Sequence, residues 1–163
     1  MEPRGNASGT VEPEPGLSPL GALFSALHGA KVKFMIVGMT AAVMQGAPCV
    51  TLDTDIWVNI GERQYMRINN IALKLGATLV RQTVVVLADE KLVNFCYSIS
   101  GVASFLTEYR RAKCVEWEGS IVRILPLARI IRSKEAAGRD KDLAILPVLR
   151  DIAASRKRLR IRR

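Results

Sequence analysis

The chain has 163 residues, 49% of them hydrophobic and 24% charged, which suits an ordinary globular protein of one domain. Its three cysteines, Cys49, Cys96 and Cys114, are an odd number without C-x-x-C spacing, which argues against a disulfide framework or a zinc site. The single histidine, His28, excludes any site that needs two, and the net charge of +9 is uneven: residues 150–163 hold seven basic and one acidic side chains, so +6 lies there and +3 in everything before.

Residues 1–16 are rich in Pro, Gly and Glu and nearly devoid of large apolar side chains, so they are expected to be disordered. They lack the apolar core of a signal peptide, and no apolar run later in the chain is long enough to span a bilayer; the expectation is a soluble, cytoplasmic protein with no membrane contact. Ser18-Pro19 fits an N-cap and first helical position, Leu20, Leu23, Phe24 and Leu27 follow at helical spacing, and Gly29 closes the helix.

Phe34 to Val37 is a short apolar strand ended by Gly38. Met39 to Gln45 reads as a short helix, stopped by Gly46-Ala47-Pro48 because Pro48 disfavours helix for the residue before it. Thr51 to Val58 is β-branched and aromatic enough for a second strand. Its side chains alternate, so Leu52, Thr54, Ile56 and Val58 are expected to face the core, and Asp53, Asp55, Trp57 and Asn59 the other way. Carboxylates at i and i+2 lie roughly 6.5–7 Å apart at the backbone. Leaning inward, Asp53 and Asp55 can hold one or two Mg²⁺ ions, which in two-metal sites sit about 3.5–4 Å apart, while the turn at Gly38 offers the unpaired N–H groups of a helix start to phosphate. Trp57, on the aspartate face, reads as packing more readily than as the wall of a base pocket.

Val37-Gly38-Met39, a spacer from Thr40 to Leu52, and Asp53-Thr54-Asp55 together resemble the signature of the DNA polymerase β-type nucleotidyltransferases. Thr51, two residues before the first aspartate, narrows the resemblance to the small prokaryotic stand-alone members, many of them from toxin–antitoxin systems. The resemblance implies an α/β (α+β) domain over residues 17–155: a short mixed sheet with helices packed on one face, followed by a basic tail at 156–163. It also implies transfer of a nucleoside monophosphate from an NTP onto an RNA, protein or small-molecule hydroxyl, with Mg²⁺ or Mn²⁺ held by Asp53 and Asp55. The partners implied are the NTP, a tRNA or other RNA or a protein as acceptor, a toxin–antitoxin partner, and a second copy of the chain in a homodimer.

After the aspartates, residues 61–76 read as a helix, with Tyr65, Ile68, Ile71, Ala72 and Leu75 as its inner stripe. Thr78 to Val80, Val84 to Leu87 and Leu92 to Tyr97 read as strands, the last two around the polar turn 88–91. Val115 to Trp117 and Ile121 to Ile124 form a hairpin pattern around Glu118-Gly119. Pro126 to Ala137 is helical and ends at Gly138; Asp140 can cap a last helix reaching about Ser155, which Pro147 kinks or restarts.

Three stretches bear on the family resemblance. The family's third carboxylate, which activates the attacking hydroxyl, is expected on the later strand at Val93-Asn94-Phe95, and Asn94 stands in its place. An amide carries no charge and cannot accept that proton. Met39 stands where Gly or Ser is usual beside the phosphates, and the hydroxyl of Thr40 next door is the candidate to compensate. Lys134 and Gly138-Arg139-Asp140-Lys141-Asp142-Leu143 resemble the K…GRxKDL stretch, which implies phosphate contacts for Lys134, Arg139 and Lys141; Ile145 departs from an expected aspartate. Two further readings follow: a catalytically impaired relative that binds nucleotide or a partner protein, on the evidence of Asn94 and Met39, and a nucleic-acid-binding module using the basic tail.

Overall fold

The computed structural model describes residues 15–162, so the segment expected to be disordered lies outside the described residues except for Pro15 and Gly16. Seven strands form one sheet: β1 (Phe34–Val37), β2 (Asp53–Val58), β3 (Thr78–Arg81), β4 (Val84–Val86), β5 (Leu92–Cys96), β6 (Lys113–Trp117) and β7 (Ser120–Ile124), in the order β3-β4-β5-β2-β1-β7-β6. β1 runs parallel to β7 and β2 parallel to β5, while the other pairs are antiparallel. The strand carrying the two aspartates is therefore the central one. This is the mixed α+β sheet expected from the sequence.

Pairing registers fix the faces. Ile36 opposes Ile56, and Ile56 opposes Phe95, so these side chains share one face with Phe34, Val58 and Val93. Helix α1 (Pro19–Gly29) seals that face, with Phe24 stacked on Phe34 at 5.4 Å between ring centres, and α3 (Tyr65–Lys74) packs beside it through the fully buried Ile68 and Ala72. Ser18 caps α1 as expected, its hydroxyl accepting from the N–H of Gly21.

The opposite face carries Met35, Val37, Asp53, Asp55, Trp57, Asn94 and Cys96. A short helix not foreseen in the sequence, α4 (Phe105–Arg111), covers part of it: Phe105 meets Trp57 edge-on at 5.3 Å and leaves Trp57 buried. Trp57 thus packs, as expected. Leu52 departs from expectation. The strand begins only at Asp53, so Leu52 lies outside the ladder and is 83% exposed instead of facing the core.

Helix α2 (Gly38–Met44) follows β1 directly, and α5 (Leu127–Ala137) packs against it. Gln45 ties the two together: its amide nitrogen donates to the carbonyls of Ala41 and Leu125, and its oxygen accepts from the N–H of Leu127. Gly138, at φ 61°, closes α5 in the left-handed conformation that suits glycine. The last helix, α6 (Asp140–Ile161), differs from the reading in three ways. Arg139 rather than Asp140 occupies the N-cap, Pro147 lies inside an unbroken helix, and Arg156 to Ile161 continue that helix instead of belonging to a separate tail. Burial of Leu146 and Leu149 on either side of Pro147 holds the segment in place despite the missing N–H. No helix among the described residues is long and apolar enough to cross a membrane.

Candidate active site

Asp53 and Asp55 project from the start of the central strand into a cavity of about 550 Å³ between the sheet and α5. Parallel pairing of β2 with β5 sets Asp55 directly beside Asn94. The Asn94 amide nitrogen donates to Asp53 Oδ2 at 3.1 Å and to Asp55 Oδ1 at 3.0 Å, joining the two carboxylates. The sequence-derived trio is one contiguous cluster.

Two hydroxyls fix the entry to β2. Thr40 donates to the carbonyl of Asp53 at 2.9 Å and Thr51 to the same oxygen at 2.8 Å. Thr40, the candidate phosphate contact, is thereby buried against β2 and its hydroxyl proton is committed to the backbone. Its role in this geometry is to position Asp53. Met39 is half-buried against the core and lines the side of the site that also holds Val50, Leu52 and Ile145. Its side chain contributes an apolar wall there.

Gly38 sits at φ 62°, and a Cβ at this position would run into Asp55 Oδ2. Glycine is required here twice over, by the left-handed backbone and by the carboxylate lying against it. Gly38→Ala is expected to cost about 1–2 kcal/mol of stability from backbone strain and to displace the Asp55 carboxylate. Thermal melting reads the first effect and metal-dependent stabilisation the second; an unchanged melting point would remove the argument for strain, and unchanged metal-dependent stabilisation the argument for the close approach.

Three cations face the pair. Lys134 on α5 and Arg139 before α6 both reach Asp142, Lys134 Nζ donating to Oδ1 at 3.0 Å while the Arg139 guanidinium holds both oxygens. Asp142 is almost fully buried. Burial alone pushes its carboxyl pKa up, but the hydrogen bonds from Arg139 and Lys134 and their charges outweigh that and hold it below the usual range. Asp142 thus aims Lys134 and Arg139 along the cavity wall. Its role was not read from the sequence, although a carboxylate three residues after Arg139, at the start of a helix, is a signal for such an anchor. Lys141 lines the same cavity. Asp55 shifts in the opposite direction: burial raises its pKa, Asp53 adds to the rise, and the Asn94 hydrogen bond with the charges of Lys134 and Lys141 only partly offsets it. Arg81, Thr83 and Ser133 also line the cavity and were not singled out beforehand.

Paired carboxylates are hard oxygen donors, the chemistry preferred by Mg²⁺ and Mn²⁺. Among the described residues no group of three or more His, Cys, Asp or Glu side chains gathers at one point. The pair fits an ion that brings the rest of its ligands as substrate phosphate and water, which is the usual state of protein-bound Mg²⁺.

No protein-family model matches the chain, and no curated protein matches it. Solved structures do. The solution structure of the antibiotic-resistance factor ANT(2'')-Ia superposes with a TM-score of 0.52 at 16% identity, covering 88% of this chain and 90% of that one. A crystal structure of ANT(2'')-Ia in complex with adenylyl-2''-tobramycin gives a TM-score of 0.50 at 17% identity, over 86% of this chain and 94% of the other. These neighbours have the polymerase β-like nucleotidyltransferase fold, and the chain shares that fold.

Proposed function

We propose that the chain is a Mg²⁺- or Mn²⁺-dependent nucleotidyltransferase that moves a nucleoside monophosphate from an NTP onto a hydroxyl of an RNA, a protein or a small molecule. The observation that carries this reading is the pairing of Asp53 and Asp55 on the central strand, in a cavity rimmed by Lys134, Arg139 and Lys141. Aspartates alone would suit many cations; cations placed opposite them suit a polyphosphate that arrives with its ion. In the proposed complex Asp53 and Asp55 hold the ion, which screens the triphosphate's charge. Gly38 leaves room for close approach, and Lys134, Arg139 and Lys141 orient the phosphates. Met39 supplies bulk rather than a hydrogen bond, so phosphate recognition falls more heavily on these basic side chains.

A second reading is favoured by Asn94: a nucleotide-binding relative with little or no transfer activity. Its amide nitrogen donates to both aspartates and so cannot accept a proton from an attacking hydroxyl. Both readings share one test of nucleotide binding. Mg²⁺ or Mn²⁺ with each NTP is expected to raise the melting temperature, and the Asp53→Ala, Asp55→Ala double variant to lose that gain. Equal stabilisation of variant and parent would reduce the pair to a solvated strand end. Incubation of the parent with labelled NTPs, RNA and lysate protein then separates transfer from binding alone.

A further inference from the structure

We infer that this site takes one divalent ion with its nucleotide rather than two, because Asn94 already fills the place of the second. The inference rests on the nucleotide-binding reading above. In two-metal sites the ions lie about 3.5–4 Å apart and are bridged by shared carboxylates. Here the bridge between Asp53 and Asp55 on the β5 side is an amide nitrogen, with one N–H spent on each carboxylate. The orientation of that amide is dictated by its neighbours. Turning it over would set Oδ1 against two carboxylate oxygens, three acceptors with no proton among them. The amide thus does for the pair what a bridging cation would do, without adding charge.

The oxygens that Asn94 leaves free are Asp55 Oδ2 and Asp53 Oδ1. Asp55 Oδ2 faces Gly38 and the start of α2. Asp53 Oδ1 is approached by the Thr51 hydroxyl at 3.3 Å, but that hydroxyl makes its shorter bond to the Asp53 carbonyl at 2.8 Å. Neither of these two oxygens is bonded to Asn94, so an ion held by them would leave the amide in place. A second ion on the Asn94 side would require both amide hydrogen bonds to break and the amide to invert. It would then gain a neutral ligand where a third carboxylate would have supplied charge.

The test uses the full-length chain, Mn²⁺ as the probe and a non-hydrolysable α,β-methylene NTP analogue at saturation, read by low-temperature electron paramagnetic resonance. The parent is expected to show protein-bound, isolated Mn²⁺. Asn94→Asp is expected to show the exchange-coupled spectrum of two neighbouring ions. A coupled spectrum in the parent overturns the inference, and so does an uncoupled one in a folded Asn94→Asp variant. If neither parent nor Asn94→Asp holds Mn²⁺ while both melt normally, the nucleotide-binding reading itself fails.

Discussion

Replacing Arg129 with methionine is expected to lower stability by about 3 kcal/mol, the low end of the range for breaking a buried ion pair. The low end applies because the Arg129 side chain keeps 22% of its exposure while that of Glu108 keeps none. For a domain of this size the loss corresponds to a fall in melting temperature of roughly 6–12 °C. The cause is the carboxylate left behind. Both Glu108 oxygens share the single Nε–H of Arg129, one of them also accepts from its terminal nitrogen, and the N–H of Ala103 donates too, so of these donors only Ala103 stays when Arg129 is lost. Removing both partners, as in Glu108→Leu with Arg129→Met, is expected to restore most of the stability, since an apolar pair of similar volume costs little or nothing there. A double variant as unstable as the single one would show that the loss came from packing and not from the stranded charge.

The same pair sets a pH dependence. Burial raises the Glu108 pKa, but the Arg129 hydrogen bonds, the Ala103 N–H and the charges of Arg129 and Arg111 more than reverse this and leave it lowered. A lowered carboxylate contributes stability that is complete above its unfolded value and is lost as pH falls through its folded value. Asp142 behaves likewise, whereas the raised Asp55 costs stability at neutral pH and that cost is relieved as pH falls toward its unfolded value. In the absence of metal, acid unfolding is therefore expected below the usual carboxylate range, and Arg129→Met should lose the Glu108 part of it. The pair also bears on the site, because Arg129 shares α5 with Ile130, Ser133 and Lys134 of the cavity wall.

The helix that carries Glu108 could not be read from the chain. Residues 98–112 show neither a long apolar run nor a sustained period, and α4 is only seven residues long. What holds it is an ion pair to a residue 21 positions away and an aromatic contact to Trp57, neither of which leaves a local trace. Asp53 and Asp55 were legible because alternation along a strand is a local rule, and it holds from Asp53 to the strand's end. It misplaced Leu52 because the rule stops applying where pairing stops. Asn94 could be placed only through the family resemblance; the β2–β5 register that sets it beside Asp55 is long-range. Asp142 illustrates a third case. Its letters stood in the GRDKDL stretch, but its anchoring of Lys134 from the preceding helix depends on how α5 and α6 pack.

Asn94→Asp is expected to raise nucleotidyl transfer by about two orders of magnitude or more, within the usual range for a general base. The carboxylate would stand beside Asp55 on the same face, at the position from which the amide now contacts both aspartates. It could accept the proton of an attacking hydroxyl, which the amide nitrogen cannot. Three carboxylates without a cation repel, so the variant is expected to melt lower than the parent in the absence of metal and to regain that loss when Mn²⁺ is added. Asp53→Ala in the same background should abolish transfer, which guards against a contaminating activity. If transfer stays undetectable in Asn94→Asp, and again with Met39→Gly added to open the α2 side, the missing base is not the only defect and the nucleotide-binding reading takes precedence. If the parent already transfers at the rate of the variant, proton removal is handled elsewhere, by solvent or by the acceptor itself, and Asn94 serves only to hold the two aspartates together.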